Sequence, residues 1–109
     1  MFPLVAPLFT NITGYANMIA NGANKLTLSC TTDSSNPAST IAWYINGDII
    51  SLTGGVSQSA GSYGGRITTN VLELFPTREM DRYIVECKAH NSISVKNVSS
   101  TVTLDLKCK

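Results

Sequence analysis

The sequence predicts an all-β domain, a two-sheet sandwich with Greek-key connections. Three observations predict it. Short segments alternate apolar and polar residues with period two, as in Lys25-Leu26-Thr27-Leu28-Ser29-Cys30 and Thr40-Ile41-Ala42-Trp43-Tyr44-Ile45. Clusters of Asn, Gly, Ser and Pro separate these segments at turn spacing. Charged residues are only 14% of the chain, and Ser, Thr, Asn and Gly take their place, a composition that suits strands and turns and is poor for helices. The length, 109 residues, fits one domain, with a core over about residues 5–107.

The elements follow in order. A first strand is expected near Val5 to Ile12, with a short extra segment over Asn17-Met18-Ile19-Ala20. Asn21-Gly22-Ala23-Asn24 turns into a strand over 25–32, whose Leu26, Leu28 and Cys30 share one face. Asp33 to Ser39 is a loop of turn formers. The next strand, 40–45, puts Ile41, Trp43 and Ile45 inward, and Asn46-Gly47 is a two-residue hairpin signal into a short strand from Asp48 to Leu52. Thr53 to Gly65 holds five glycines and little apolar content, which reads as a mobile surface loop or a frayed edge. A strand over 68–75 is followed by a turn at 77–81 with room for one helical turn. Then come a strand over 82–90, with Val85, Cys87 and Ala89 on one face, and a last strand over 96–107 with Val98, Val102, Leu104 and Leu106 inward.

Cys30, Trp43 and Cys87 stand in the order and spacing of an immunoglobulin sandwich, in which a Trp packs on an inter-sheet disulfide. The wider pattern also resembles that superfamily, over roughly Pro7 to Leu106. It includes Leu26-Thr27-Leu28-Ser29-Cys30, Trp43-Tyr44-Ile45-Asn46-Gly47, Val71-Leu72-Glu73-Leu74, Asp81 and Cys87-Lys88-Ala89-His90-Asn91. The resemblance implies one disulfide, Cys30 to Cys87, buried against Trp43, with Leu72 and Leu74 as a core pair. It also implies an oxidising compartment. The tyrosine expected two residues before the second Cys is replaced by Val85, and Tyr83 lies two residues earlier. An aliphatic residue there, with Cys-x-Ala-x-Asn after it, is similar to the C2-type domains of nephrin, irregular-chiasm and sidestep adhesion receptors. That likeness implies a single-pass plasma-membrane receptor with several such domains, recognising another immunoglobulin-superfamily receptor on an apposed cell in tissue or synapse patterning. In it this piece is expected as an inner spacer. The alternatives are the partner-binding domain itself, or a secreted immune-type recognition module.

Candidate sites are few. Asn11-Ile12-Thr13 and Asn97-Val98-Ser99 are N-glycosylation sequons. Arg66 and Asp81 are a candidate ion pair joining the turn before the 68–75 strand to the turn after it. Tyr44, Glu86, Lys88 and His90 alternate outward and form a candidate protein interface, with a plain solvated face as the competing reading. Cys108 has no partner left and is read as a free thiol, an intermolecular link, or half of a bond to a neighbouring domain.

Several classes are excluded. A net charge of +1 without a basic cluster does not fit nucleic acid. Cys30, Cys87, Cys108 and His90 include no close Cys/His pair of the kind structural zinc sites use, so no metal or other cofactor is expected. No nucleophile elbow surrounds any Ser, and neither catalysis nor a small-molecule substrate is expected. No apolar run approaches the ~20 residues of a membrane span. The apolar start, Met1 to Phe9, lacks a basic region and contains two prolines, so it is a poor signal peptide and reads as entry into a first strand of an excised segment.

Overall fold

A computed structural model describes residues 3–14, 25–50 and 55–106. The strands are β1 (Thr10–Thr13), β2 (Leu26–Thr32), β3 (Thr40–Ile45), β4 (Asp48–Ile50), β5 (Gly55–Ala60), β6 (Arg66–Leu74), β7 (Ile84–His90) and β8 (Val98–Thr103). They form two antiparallel sheets of four, ordered β1-β2-β6-β5 and β4-β3-β7-β8. This is an immunoglobulin-like sandwich with one strand, β4, added beside β3. The expected segment at 17–20, the end of the 48–52 strand and Cys108 lie outside the described residues.

Alternation decides which face of each strand is buried. Leu26, Leu28, Cys30 and Thr32 point inward from β2, Ile41 and Trp43 from β3, and Val85, Cys87 and Ala89 from β7. Leu72 is fully buried on β6, while Leu74 is partly buried at the margin. Four residues cross-brace the centre. On one sheet Cys30 pairs with Asn70, and on the other Trp43 pairs with Cys87. The Cys30–Cys87 disulfide joins the sheets with Cα atoms 6.4 Å apart. The Trp43 Nε1–H donates to Asn70 Oδ1 at 3.3 Å, a second link between the sheets, and Asn70 Nδ2 donates to the Ile41 carbonyl at 3.1 Å. Burial of a Trp requires such a partner for its N–H.

Two of the expected turns form, and the third, Asn21 to Asn24, lies outside the described residues. Asn46 and Gly47 have φ of 50° and 89°, the left-handed pair of a type I′ hairpin. A 3-10 turn covers Arg78–Met80.

Several strand boundaries move, most at the two ends of the chain. The first strand is shorter than expected: before Thr10 only Val5 makes a bridge, to Asn36, and Leu8 and Phe9 donate their N–H groups to the Asp33 carboxylate. The last strand ends at Thr103, yet Leu104 and Leu106 stay buried. Leu104 exchanges backbone bonds with Arg82 and Tyr83, and Leu106 N–H donates to Asp81 Oδ1 at 2.9 Å.

From Gly55 onward the glycine-rich stretch forms an edge strand, β5, followed by a 3-10 turn at Ser62–Gly64; Thr53 and Gly54 lie outside the described residues. Its glycines serve close approach as well as turning. A Cβ on Gly65 would lie 2.9 Å from the Ser35 carbonyl and would run into the Ser34 side chain.

Candidate protein-recognition face

The outward face of the β4-β3-β7-β8 sheet brings the expected interface residues together. Register places Tyr44 opposite Glu86 and Thr40 opposite His90, with Lys88 two residues beyond Glu86 on the same face. The Lys88 ammonium sits 4.7 Å from the centre of the Tyr44 ring and 3.8 Å from Glu86 Oε1. Tyr44, Glu86 and Lys88 therefore form one half-buried cluster, and His90 stands exposed at its end. A cation over a Tyr ring contributes ~0.5–1 kcal/mol at a partly exposed site, and a solvated ion pair of this length ~0–1 kcal/mol.

Two residues escaped the sequence reading. Ile49, 69% exposed, lies opposite Tyr44 on β4, and Ile84, 50% exposed, precedes Glu86 on the same face of β7. A register count through the two-residue Asn46-Gly47 turn finds Ile49, and the alternation of β7 finds Ile84. The face is thus a half-buried Tyr beside a Lys88–Glu86 pair, flanked by two exposed isoleucines. An aromatic group among apolar and polar neighbours is the composition of a protein contact.

The two sequons are both exposed. Asn11 points outward from β1, and Asn97 immediately precedes β8, at the end of the sheet where His90 lies.

The Arg66–Asp81 pair is not formed. Arg66 begins β6 and Asp81 follows its far end, so the nine-residue strand separates them by roughly 25 Å. Arg66 instead exchanges backbone bonds with Ser35, and Asp81 caps the Leu106 N–H. The two turns flanking β6 belong to opposite ends of the sandwich, and the expected ion pair would have had to span it.

Among the described residues no group of three His, Cys, Asp or Glu side chains is placed to hold a metal ion, and no helix is long and apolar enough to cross a membrane. A surface hollow between Val5, Ser34–Asn36 and Ser62–Gly65 encloses about 60 Å³, far below the ~300 Å³ of a small-molecule site.

Known proteins share this geometry. The chain matches the ectodomain of mouse nectin-like molecule 4, comprising Ig1–Ig3, with a TM-score of 0.82 at 22% identity, covering 96% of this chain and 35% of that one. It matches Rst D1-D2 with a TM-score of 0.78 at 23% identity, covering 95% of this chain and 51% of the other. Bovine butyrophilin matches with a TM-score of 0.68 at 14% identity, over 89% of this chain and 43% of that one. The chain thus spans between about a third and a half of these structures, and at such identities the likeness is one of fold. No curated protein sequence matches it. The family model of the CD80-like C2-set immunoglobulin domain matches residues 10–97, which include the disulfide, Trp43 and the Tyr44 face, and the chain belongs to that family.

Proposed function

We propose that this domain is an inner, spacing module in the ectodomain of a nephrin-type adhesion receptor. The parent would be held in the plasma membrane by a single pass and would recognise another immunoglobulin-superfamily receptor on an apposed cell. The observation that carries the reading is how the chain passes through the sandwich. Pro3 to Val5 enters along the 33–39 loop, with Pro3 and Val5 bonded to Asn36, and Leu106 leaves beside Asp81 at the opposite end. A domain threaded end to end stacks in line with its neighbours.

The entry end is also the apolar one. Leu4, Leu8, Phe9, Tyr63, Ile93 and Val95, all exposed, lie on the entry segment and on the loops at that end. Exposed apolar side chains concentrated on one surface mark a contact site, and a preceding domain would cover this one. The tandem domains named in the nectin-like and Rst structures suit the same arrangement.

A second reading, the partner-binding domain itself, is favoured by the Tyr44 face with its exposed Ile49 and Ile84. Surface plasmon resonance separates the two. A nephrin-type partner ectodomain is immobilised, and the parent ectodomain and this chain alone are passed over it. The spacer reading predicts binding by the parent and none by the chain alone. A dissociation constant of about micromolar or tighter for the chain alone assigns recognition to this domain.

A further inference from the structure

A sheet edge presents unpaired N–H and C=O groups that only another strand satisfies fully, and folded proteins protect such edges with charge, proline, bulges or shortness. Two of the four edges here are protected by these devices, and a third, β8, is covered in part. β1 has four residues, and Thr10 is tied across to Ser100 of β8 by its hydroxyl and its carbonyl. β8 also lacks charge and proline, but its inward-facing residues are half-buried and the Ser100 hydroxyl is held by Thr10, whereas β5 is exposed throughout. β4 has three residues and begins with Asp48. Among the described residues the fourth edge, β5, has none of these devices. Gly55-Val56-Ser57-Gln58-Ser59-Ala60 carries no charge and no proline, its register with β6 runs without a bulge from Gly55↔Val71 to Ala60↔Arg66, and all six residues are exposed.

We propose that β5 is a self-pairing edge, through which two copies of this chain join antiparallel into one continuous eight-stranded sheet, β1-β2-β6-β5 meeting its own image. The inference does not depend on whether the domain is a spacer or the partner-binding unit. A two-fold axis through Ser57 or Gln58 sets residues of the same face opposite one another. About Ser57, Val56 meets Gln58 and Gly55 meets Ser59. No like charges oppose, and the small side chains let the backbones approach. Val56, 61% exposed on the edge, gains cover. Both sequons lie elsewhere, Asn11 on the far strand of the same sheet and Asn97 on the other sheet, so glycans leave the edge open. Self-pairing is favoured over capture of a foreign strand because every requirement of the pair is met by the strand's own sequence. Six residues per copy bury less than the roughly 1,200 Å² of a stable interface. The dimer is therefore weak in solution and suited to lateral association of copies held at high local concentration.

The test is sedimentation equilibrium of the whole chain carrying Cys108→Ser, which removes any disulfide-linked dimer. The expected result is a reversible monomer–dimer equilibrium with a dissociation constant weaker than about 10 μM and reached below about 1 mM. Val56→Lys and Gln58→Lys, each placing a charge on the edge at an exposed position, are expected to weaken it at least tenfold while Trp43 fluorescence reports an unchanged fold. Amide NMR spectra of the unsubstituted edge, recorded against protein concentration, provide a readout free of folding effects, and the shifts are expected to concentrate in residues 55–60. A chain that stays monomeric to about 1 mM overturns the proposal, as does a dimer indifferent to both substitutions. Shifts at 55–60 that follow an added extended peptide and not the chain's own concentration also overturn it.

Discussion

Asn70→Ala is the substitution that examines the centre of the sandwich. Asn70 is 5% exposed, accepts from Trp43 Nε1 and donates to the Ile41 carbonyl. Truncation strands the Trp43 N–H in a fully buried site, at about 1–3 kcal/mol, and leaves a small cavity that adds roughly 1 kcal/mol. The expected loss is about 2–4 kcal/mol out of the ~5–15 kcal/mol that a domain of this kind has, or a fall of about 10–25 °C in Tm. Trp43 is the single tryptophan, so guanidinium unfolding followed by its fluorescence reads the effect directly, with an unchanged slope showing that only stability moved. Asn70→Asp sharpens the test. The new carboxylate faces the Ile41 carbonyl in a buried site, so its pKa in the folded state lies above its unfolded value of ~3.9. The variant should be least penalised below about pH 4 and lose stability as pH rises through the folded pKa, the reverse of an ordinary paired acid. A loss below about 1 kcal/mol for Asn70→Ala, or a pH-independent Asn70→Asp, would refute the view that this bond braces the sheets.

Four further outcomes are expected. Cys30→Ala should cost about 4 kcal/mol, since the disulfide closes a 57-residue separation, and calorimetry of the variant checks this. Arg66→Ala should leave denaturant stability within about 0.5 kcal/mol, whereas Asp81→Ala, which frees the Leu106 N–H, should cost about 1–2 kcal/mol. Intact-mass analysis of secreted protein before and after N-glycosidase should show glycan at Asn11 and Asn97, and Asn→Gln at each should remove one. On non-reducing electrophoresis the chain is expected to run partly as a disulfide-linked dimer that Cys108→Ser abolishes.

What the sequence made legible was whatever alternation and turn chemistry encode. β3 appears at the boundaries expected, because its inward Ile41 and Trp43 alternate with outward Ala42 and Tyr44 between a polar loop and an Asn-Gly turn. The Cys30–Cys87 bridge follows from the family pattern. β5 was legible only as one of two readings, a frayed edge beside a mobile loop, because an edge strand with every residue exposed carries no apolar period, and the glycines after it signal looseness when Gly61 and Gly65 in fact allow close approach to Ser34 and Ser35. Asn70 and Thr68 were missed because reading apolar positions as core leaves out polar residues on the buried face of β6. The Arg66–Asp81 pair failed on topology. Sequence separation does not say at which end of a sandwich a turn lies, and a single strand between two turns puts them at opposite ends. Alternation was enough to put Tyr44, Glu86 and Lys88 on one outward face, but the Lys88–Tyr44 contact required the register of β3 against β7.

The central claim is that this domain spaces and orients a receptor without contacting its partner. The most direct measurement is the affinity of the parent ectodomain for its partner when this domain alone carries Tyr44→Ala, Ile49→Ser and Ile84→Ser. The spacer account predicts an affinity within about twofold of the unsubstituted ectodomain, because Ile49 and Ile84 are exposed, Tyr44 is half-buried on the outward face, and all three lie outside the core. A loss of tenfold or more, ~1.4 kcal/mol, with the fold intact by Trp43 fluorescence, would place the contact on this face and contradict the account.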